Sequence, residues 1–198
     1  MSADAPPTKP KRPIVQASEV MGGLLLLLWV LEIVDVLTGH ALDSLGITPR
    51  EWSSLPKIFT APLIHFGWEH LLANSIPFFV FGVLIYLEGV RNWLIATLTI
   101  VASSGLLVWL ISPSGSVTAG ASGVIFGWLA YVLVRGFFTR DIKQILLAAA
   151  VLLVYGGMLW GVLPMDAEVS WQAHLGGLLG GVLAAWLLNG RQNARAQN

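Results

Sequence analysis

The sequence predicts an all-α membrane protein whose six transmembrane helices form a bundle with both termini in the cytoplasm. Three observations predict this class. Hydrophobic residues make up 56% of the 198 residues and charged residues only 11%, whereas a soluble domain has about 25% charged residues. The apolar residues are gathered into six stretches near the length of a bilayer crossing, about 20 residues. The basic residues lie mostly on one side of these stretches.

Polar, glycine-containing or proline-containing segments separate the six predicted spans. The first span is predicted to be an uncleaved helix rather than a signal peptide, because Glu32 and Asp35 follow it in place of a small-residue cleavage site. The connector Thr38–Gly67 contains three prolines and is expected to be a structured loop along the membrane interface. The predicted spans are Val20–Leu37, Trp68–Leu87, Trp93–Ile111, Gly120–Arg135, Ile142–Val162 and Trp171–Leu188.

Composition predicts one membrane domain with short tails. Residues 1–18 are predicted to be a disordered basic cytoplasmic tail, residues 19–190 the helical domain, and residues 191–198 a second cytoplasmic tail. The absence of cysteine excludes disulfides, thiolate zinc sites and iron–sulfur clusters, and a net charge of zero argues against nucleic-acid binding. We expect neither a cofactor nor a metal.

The positions of lysine and arginine predict the orientation. If the N-terminus is cytoplasmic, nine of the eleven basic residues lie on the inner side, and only Arg50 and Lys57 lie outside. This asymmetry follows the positive-inside rule and predicts an N-in, C-in bundle. The nine inner residues are Lys9, Lys11, Arg12, Arg91, Arg135, Arg140, Lys143, Arg191 and Arg195.

Four polar residues are predicted to lie at one depth. The second, fourth and sixth helices all run from outside to inside, and near their starts they carry His70 with Asn74, Ser122, and His174 respectively. Each residue alone has a structural interpretation, since small and polar side chains commonly mediate helix packing in membranes. Their coincidence at one depth favours a functional site, because polar groups within the bilayer normally face the bundle interior.

Small residues at four-residue spacing predict a close approach of the fourth and sixth helices. Such an approach would allow the Ser122 hydroxyl to reach the His174 imidazole at about 3 Å, which is the arrangement of an activated nucleophile. The small residues are Gly123 and Gly127 on the fourth helix, and Gly177, Gly181 and Ala185 on the sixth.

Three short motifs resemble those of the rhomboid intramembrane serine proteases. "HFGWEHLLAN" is similar to the His-x4-His-x3-Asn of the second rhomboid helix, "GASG" to the Gly-x-Ser-Gly at the head of the fourth, and "AHLGGLLGG" to the Ala-His-x2-Gly-x3-Gly of the sixth. Each motif is weak alone, but their order on three helices is specific. The matching residues are His65, His70, Asn74, Gly120, Ser122, Gly123, Ala173, His174, Gly177 and Gly181.

The resemblance implies a mechanism. Ser122 would be the nucleophile and His174 the general base, while His70, Asn74 and the Ser122 backbone amide would hold the oxyanion. The implied partners are transmembrane protein substrates within the lipid bilayer, cut near its outer face. The implied location is a bacterial cytoplasmic membrane.

The chain departs from the family pattern in three places, one of which is Pro77 in the second helix, which is expected to bend it. Pro56 and Lys57 stand where most rhomboids have a Trp-Arg pair in the first loop. Phe126 stands where a tyrosine often stacks on the catalytic histidine, and it is expected to stack without donating a hydrogen bond.

Other functions remain open at this point. The main alternative is a non-catalytic rhomboid-like protein that binds transmembrane clients. A metalloprotease is disfavoured because His65 and His70 lie about 140° apart around a helix, and both His40 and His65 are expected outside the membrane or at its surface. An aspartyl protease is disfavoured because Asp35 stands alone and is expected to be solvated, and a transporter because no internal repeat is visible.

Overall fold

The protein is all-helical. The computed structural model describes residues 12–166 and 168–196, and for residues 190–196 only the backbone. Within these ranges the only β-type pairing is an isolated bridge between Ile47 and Thr118. Six helices are long and apolar enough to cross a membrane, which confirms the predicted number of spans. The α-helices are α1 (Pro13–Leu37), α2 (Trp68–Tyr86), α3 (Val90–Ile111), α4 (Ser122–Thr139), α5 (Ile142–Tyr155) and α6 (Trp171–Ala196).

The two terminal helices are longer than the sequence pattern predicted. α1 begins at Pro13, where the ring-fixed φ and the missing N–H suit the first turn of a helix, so residues 13–18 of the predicted tail are helical. α6 continues to Ala196, through most of the predicted tail 191–198. The parts of the predicted tails at residues 1–11 and 197–198 lie outside the described residues.

Interior boundaries also differ from the prediction: α3 begins at Val90 rather than Trp93, and α4 ends at Thr139 rather than Arg135. α4 begins at Ser122 rather than Gly120, because Gly120 has a φ of 124°, outside the helical region. The predicted fifth span is composite, since α5 ends at Tyr155 and the chain continues as the 3₁₀ helix Gly156–Val162. Because α4 begins after the turn at Gly120, Ser122 is the first residue of its helix.

α4 is the central helix of the bundle. In its apolar window 67% of the residues are buried, against 22% for α1 and 11% for the fifth span, which lie at the periphery. α4 packs most extensively against α6, and it also contacts α2, α3 and α5. A serine at the start of this helix is therefore enclosed by the other elements of the bundle.

The connector between α1 and α2 is structured, as expected, and contains three short 3₁₀ helices. Arg50 anchors it to the end of α3, because its guanidinium donates to the Ser112 carbonyl at 2.7 Å and to Ser114 Oγ at 2.7 Å. The rings of Trp52 and Trp109 lie 5.2 Å apart beside it. An arginine fork and an indole thus hold this loop although the family's Trp-Arg pair is missing.

The expectation that Asp35 is solvated is wrong. Asp35 is only 1% exposed, because the chain folds back over the end of α1 and covers it. Its carboxylate accepts hydrogen bonds from the backbone amide of Leu42 at 2.7 Å and from Nδ1 of His40 at 2.9 Å. Sequence spacing does not reveal this fold-back, since it depends on the left-handed conformation of His40, whose φ is 65°.

Candidate active site

Ser122 lies where a turn meets the first residue of α4. The preceding turn is held by Gly120, whose backbone amide donates to the Ala61 carbonyl at 2.9 Å. The Ser122 side chain is half-buried, and its hydroxyl has no hydrogen-bond partner among the described residues. Catalytic hydrogen bonds are often long before substrate binds, so the free hydroxyl is compatible with a nucleophile.

His174 lies in the first turn of α6 and is held on two sides. Its Nδ1 lies 2.8 Å from the Gly161 carbonyl oxygen, and because a carbonyl can only accept, Nδ1 must carry the proton. Its ring stacks on Phe126 with centroids 3.9 Å apart and planes 6° from parallel. In the neutral ring this tautomer leaves the lone pair on Nε2, the atom a general base needs.

Residues adjacent to Ser122 contact residues adjacent to His174, and these contacts bring Ser122 and His174 to neighbouring positions. Phe126, which stacks on His174, is four residues after Ser122 and therefore lies on the same face of α4, about 5.4 Å further along the axis. A Cβ added to Gly123 would lie 3.1 Å from the carbonyl oxygen of Ala173. The residue after the serine thus contacts the residue before the histidine.

Glycine pairs set the distance between α4 and α6. A Cβ on Gly177 would overlap the carbonyl oxygen of Gly123, and a Cβ on Gly181 would overlap that of Gly127. From the other side, a Cβ on Gly127 would lie 2.8 Å from the Gly177 carbonyl oxygen. The two backbones are in direct contact, and any larger residue at these positions would force them apart.

Two serines of α3 support the start of α6, and sequence reasoning did not single them out. Ser104 Oγ donates to the Ala173 carbonyl at 2.8 Å, and Ser103 Oγ donates to the Gly176 carbonyl at 2.7 Å. Both acceptors flank His174 on α6. A possible signal was the Ser-Ser pair in the middle of an apolar span, because hydroxyls there commonly bond across helices.

His70 lies beside the turn that precedes Ser122. A Cβ added to Gly120 would lie 2.6 Å from Cε1 of His70, so the imidazole packs directly on the glycine backbone. Asn74 lies one turn along α2, is 7% exposed, and its Nδ2 has no hydrogen-bond partner among the described residues. Burying an amide donor without a hydrogen bond costs free energy. Unsatisfied donors of this kind occur at functional sites, where a ligand can supply the missing acceptor.

The expectation that His65 lies at the surface is wrong. His65 is 1% exposed, and its Nε2 accepts a hydrogen bond from the backbone amide of Ala121 at 3.3 Å. Burial, with a smaller contribution from nearby His70, lowers the pKa of His65 to about 3. A neutral His65 therefore positions the turn before Ser122. The sequence signal for this role was the position of His65 in the His-x4-His motif. Spacing within a motif does not show whether a residue is buried.

These features define a class: an all-helical, multi-pass integral membrane protein in which rows of glycine hold two helices in backbone contact. The Rhomboid domain model matches residues 51–191, a range that contains Ser122, His174, His70 and Asn74. The chain belongs to the rhomboid family.

Similar proteins occur in three organisms, and two of them carry rhomboid in their names. A Mycobacterium tuberculosis protein, named only as uncharacterized, is 41% identical over 96% of this chain and 87% of its own length. Rhomboid-like protein 11 of Arabidopsis thaliana chloroplasts is 32% identical over 67% of this chain and 52% of its own. Bacillus subtilis YdcA, provisionally named a rhomboid protease, is 31% identical over 77% of this chain and 74% of its own.

Proposed function

We propose that the protein is an intramembrane serine endopeptidase that cleaves transmembrane proteins with a Ser122–His174 dyad. The observation that carries the proposal is the fixed His174 ring, bonded through Nδ1 to Gly161 and stacked on Phe126, which lies one turn after Ser122 on α4. In soluble serine proteases a carboxylate orients the histidine. Here the Gly161 carbonyl takes that orienting role.

The reaction begins when Ser122 Oγ attacks the scissile carbonyl carbon and its proton passes to Nε2 of His174. The tetrahedral oxyanion accepts hydrogen bonds from Asn74 Nδ2, the His70 imidazole and the Ser122 amide. Collapse breaks the peptide C–N bond, and the leaving amine takes the proton from His174. Water then attacks the acyl-enzyme with His174 as base again, releasing the second product and restoring Ser122.

The substrate must expose a carbonyl at the start of α4. An intact transmembrane helix hides its carbonyls in its own hydrogen bonds, so we expect substrates whose helix unwinds near the outer face of the bilayer. Water would enter through a polar opening bounded by α2, the fifth span and the loop that joins it to α6. The enzyme needs no cofactor for these steps.

The test is fluorophosphonate labelling of the purified full-length chain together with cleavage of a membrane-anchored reporter. We expect labelling and cleavage in the wild type and neither in Ser122→Ala. Wild-type protein that is monodisperse yet neither labels nor cleaves would favour the alternative, a non-catalytic member that binds transmembrane clients. Cleavage that persists in Ser122→Ala would exclude Ser122 as the nucleophile.

A further inference from the structure

A cluster of metal-ligating side chains lies at the end of α1, outside the proposed active site. Asp35 comes from the last turn of α1, His40 from the turn that follows, and Asp43 from the 3₁₀ helix Ala41–Leu45. One ligand atom from each residue lies within 4.8 Å of the other two. Atoms that bind one cation at about 2.0–2.4 Å are at most about 4.8 Å apart, so the three can share an ion.

Glu32 is a further acidic residue, buried beside these three. It lies three residues before Asp35 on the same face of α1, is 2% exposed, and neither of its carboxylate oxygens has a hydrogen-bond partner among the described residues. Its carboxylate is close enough to Asp35, Asp43 and His40 to interact electrostatically with each. A buried carboxylate is normally paired or close to a bound cation, and a cation held by the cluster would lie near Glu32.

The charges of the cluster are not balanced by the protein. Among the side chains of residues 12–166 and 168–189, no lysine or arginine pairs with the three carboxylates, and their one ion pair is between Asp35 and His40. Oδ1 of Asp43 is also buried without a partner. Three close carboxylates without a cation repel one another, and a divalent ion would remove that repulsion.

We propose that Asp35, His40 and Asp43 bind one divalent cation beside the buried carboxylate of Glu32. Two carboxylate oxygens and one imidazole nitrogen form a mixed ligand set, because oxygen ligands suit Mn²⁺ and Ca²⁺ while imidazole suits Zn²⁺. The set therefore favours Mn²⁺ or Zn²⁺ over Ca²⁺, which takes oxygen ligands. This differs from the expectation of no metal, which followed from the absence of cysteine and from the separation of His65 and His70 around a helix.

The cation would join α1 to the connector and to the start of α2. Glu32 lies near the backbone of Gly67, the residue directly before α2. The rings of Trp29 and Trp68 stack 5.9 Å apart at the same junction of α1 and α2. The role of the ion is thus to fix the end of α1 against the loop and the helix start, which is independent of catalysis at Ser122.

The test uses the full-length chain in detergent, stripped with EDTA and titrated with Mn²⁺ under electron paramagnetic resonance. We expect one saturable Mn²⁺ per chain, displaced by Zn²⁺ and only weakly by Ca²⁺, and a melting temperature that rises by a few degrees on binding. Asp43→Asn and Glu32→Gln should each weaken Mn²⁺ binding at least about tenfold. The matched control is Glu51→Gln, an exposed carboxylate of the same connector that should bind as the wild type does.

Two results would overturn the proposal: no stoichiometric Mn²⁺ or Zn²⁺ binding to folded wild type, or unchanged binding in the double variant His40→Gln, Asp43→Asn. Should Glu32→Gln not fold, as judged by gel filtration and circular dichroism, the His40→Gln variant decides, because this side chain is 56% exposed. Neither readout requires proteolysis, so failure of the cation site and failure of the proposed enzyme activity are distinguishable.

Discussion

At the scale of single residues, a backbone carbonyl and an aromatic ring fix the side chain of His174, the proposed general base. The Gly161 carbonyl holds its Nδ1 proton and Phe126 covers one ring face, so both the tautomer and the ring orientation are set before substrate arrives. The glycine itself is required, because a Cβ at position 161 would lie 2.9 Å from Cζ of Phe126 and 3.1 Å from Nδ1 of His174. The stack leaves no room for a side chain.

The first prediction concerns the dyad. Ser122→Ala and His174→Ala should each reduce cleavage of a membrane-anchored reporter by several orders of magnitude, and the double variant should match the single variants because either loss already stops acyl transfer. The measurement is initial cleavage rate in liposomes, with gel filtration as the fold control. Additive losses would indicate that the two residues do not act in one step.

The second prediction concerns the oxyanion donors. His70→Ala and Asn74→Ala should each lower the cleavage rate by roughly 10²–10³, as expected for removal of one donor, and should leave residual turnover. Asn74→Asp tests the donor directly, since it keeps the shape and removes the N–H groups. Equal activity of Asn74→Asp and wild type would show that the unpaired amide serves packing rather than charge stabilisation.

The third prediction concerns acid stability. Because the pKa of His65 is about 3 when folded and near 6.5 when unfolded, the unfolded state binds more protons between these values. Stability should therefore fall as pH drops from 6.5 towards 3, with a loss of about 2 kcal/mol from this group at pH 5. The measurement is the melting temperature at pH 7 and pH 5.

The control for this effect is His65→Gln, whose amide oxygen can still accept from Ala121 but does not titrate. Its melting temperature should depend less on pH over the same range. An identical pH dependence in both proteins would mean that another group is responsible for the loss.

At the scale of helices, the pair α4 and α6 depends on backbone contact. The glycine rows on the two helices touch through carbonyl oxygens, and α3 adds the hydroxyls of Ser103 and Ser104 on the other side of α6. The distance between Ser122 and His174 is therefore set by residues that carry no chemistry themselves.

The fourth prediction tests this contact. Gly177→Val and Gly181→Leu should abolish cleavage by separating the helices, at a cost of about 1–3 kcal/mol from overpacking that the fold can survive. The matched control is Gly23→Val on α1, where an added Cβ would meet nothing within 4 Å. Reporter cleavage and melting temperature are measured together. Full activity of Gly177→Val would show that these helices are not the catalytic pair.

At the scale of the whole molecule, the orientation in the membrane stays a prediction. Arg135, one of the nine basic residues assigned to the inner side, is 2% exposed and pairs with Glu88 at 3.0 Å, so its charge is balanced within the protein. Tyr131 also donates to Glu88 at 2.7 Å. The inner excess of basic residues persists without Arg135.

The fifth prediction tests the orientation directly. The chain has no cysteine, so single cysteines report position without background. Met165→Cys, at an exposed site in the loop before α6, should react with an impermeant maleimide from outside, and Arg140→Cys, exposed between α4 and α5, should not. Reversed labelling in intact cells would overturn the N-in, C-in assignment.

The sequence by itself determined the six spans, because a helix in lipid must satisfy its own backbone and therefore needs a continuous apolar stretch. It also placed Ser122, His70 and His174 near the starts of three parallel helices and the glycine rows between two of them. These features depend on local spacing. Hydropathy locates each helix along the chain, and the helical period gives the helix face on which each residue lies.

Only the tertiary structure decided which loop groups complete the sites. The Gly161 carbonyl reaches His174, the Ala121 amide reaches His65, and the turn after α1 buries Asp35 beside Glu32. Each of these depends on loop or turn conformation, including the left-handed φ of His40. Backbone carbonyls and amides are the same in every residue, so no residue pattern marks the ones that a fold will bring to a histidine or a carboxylate.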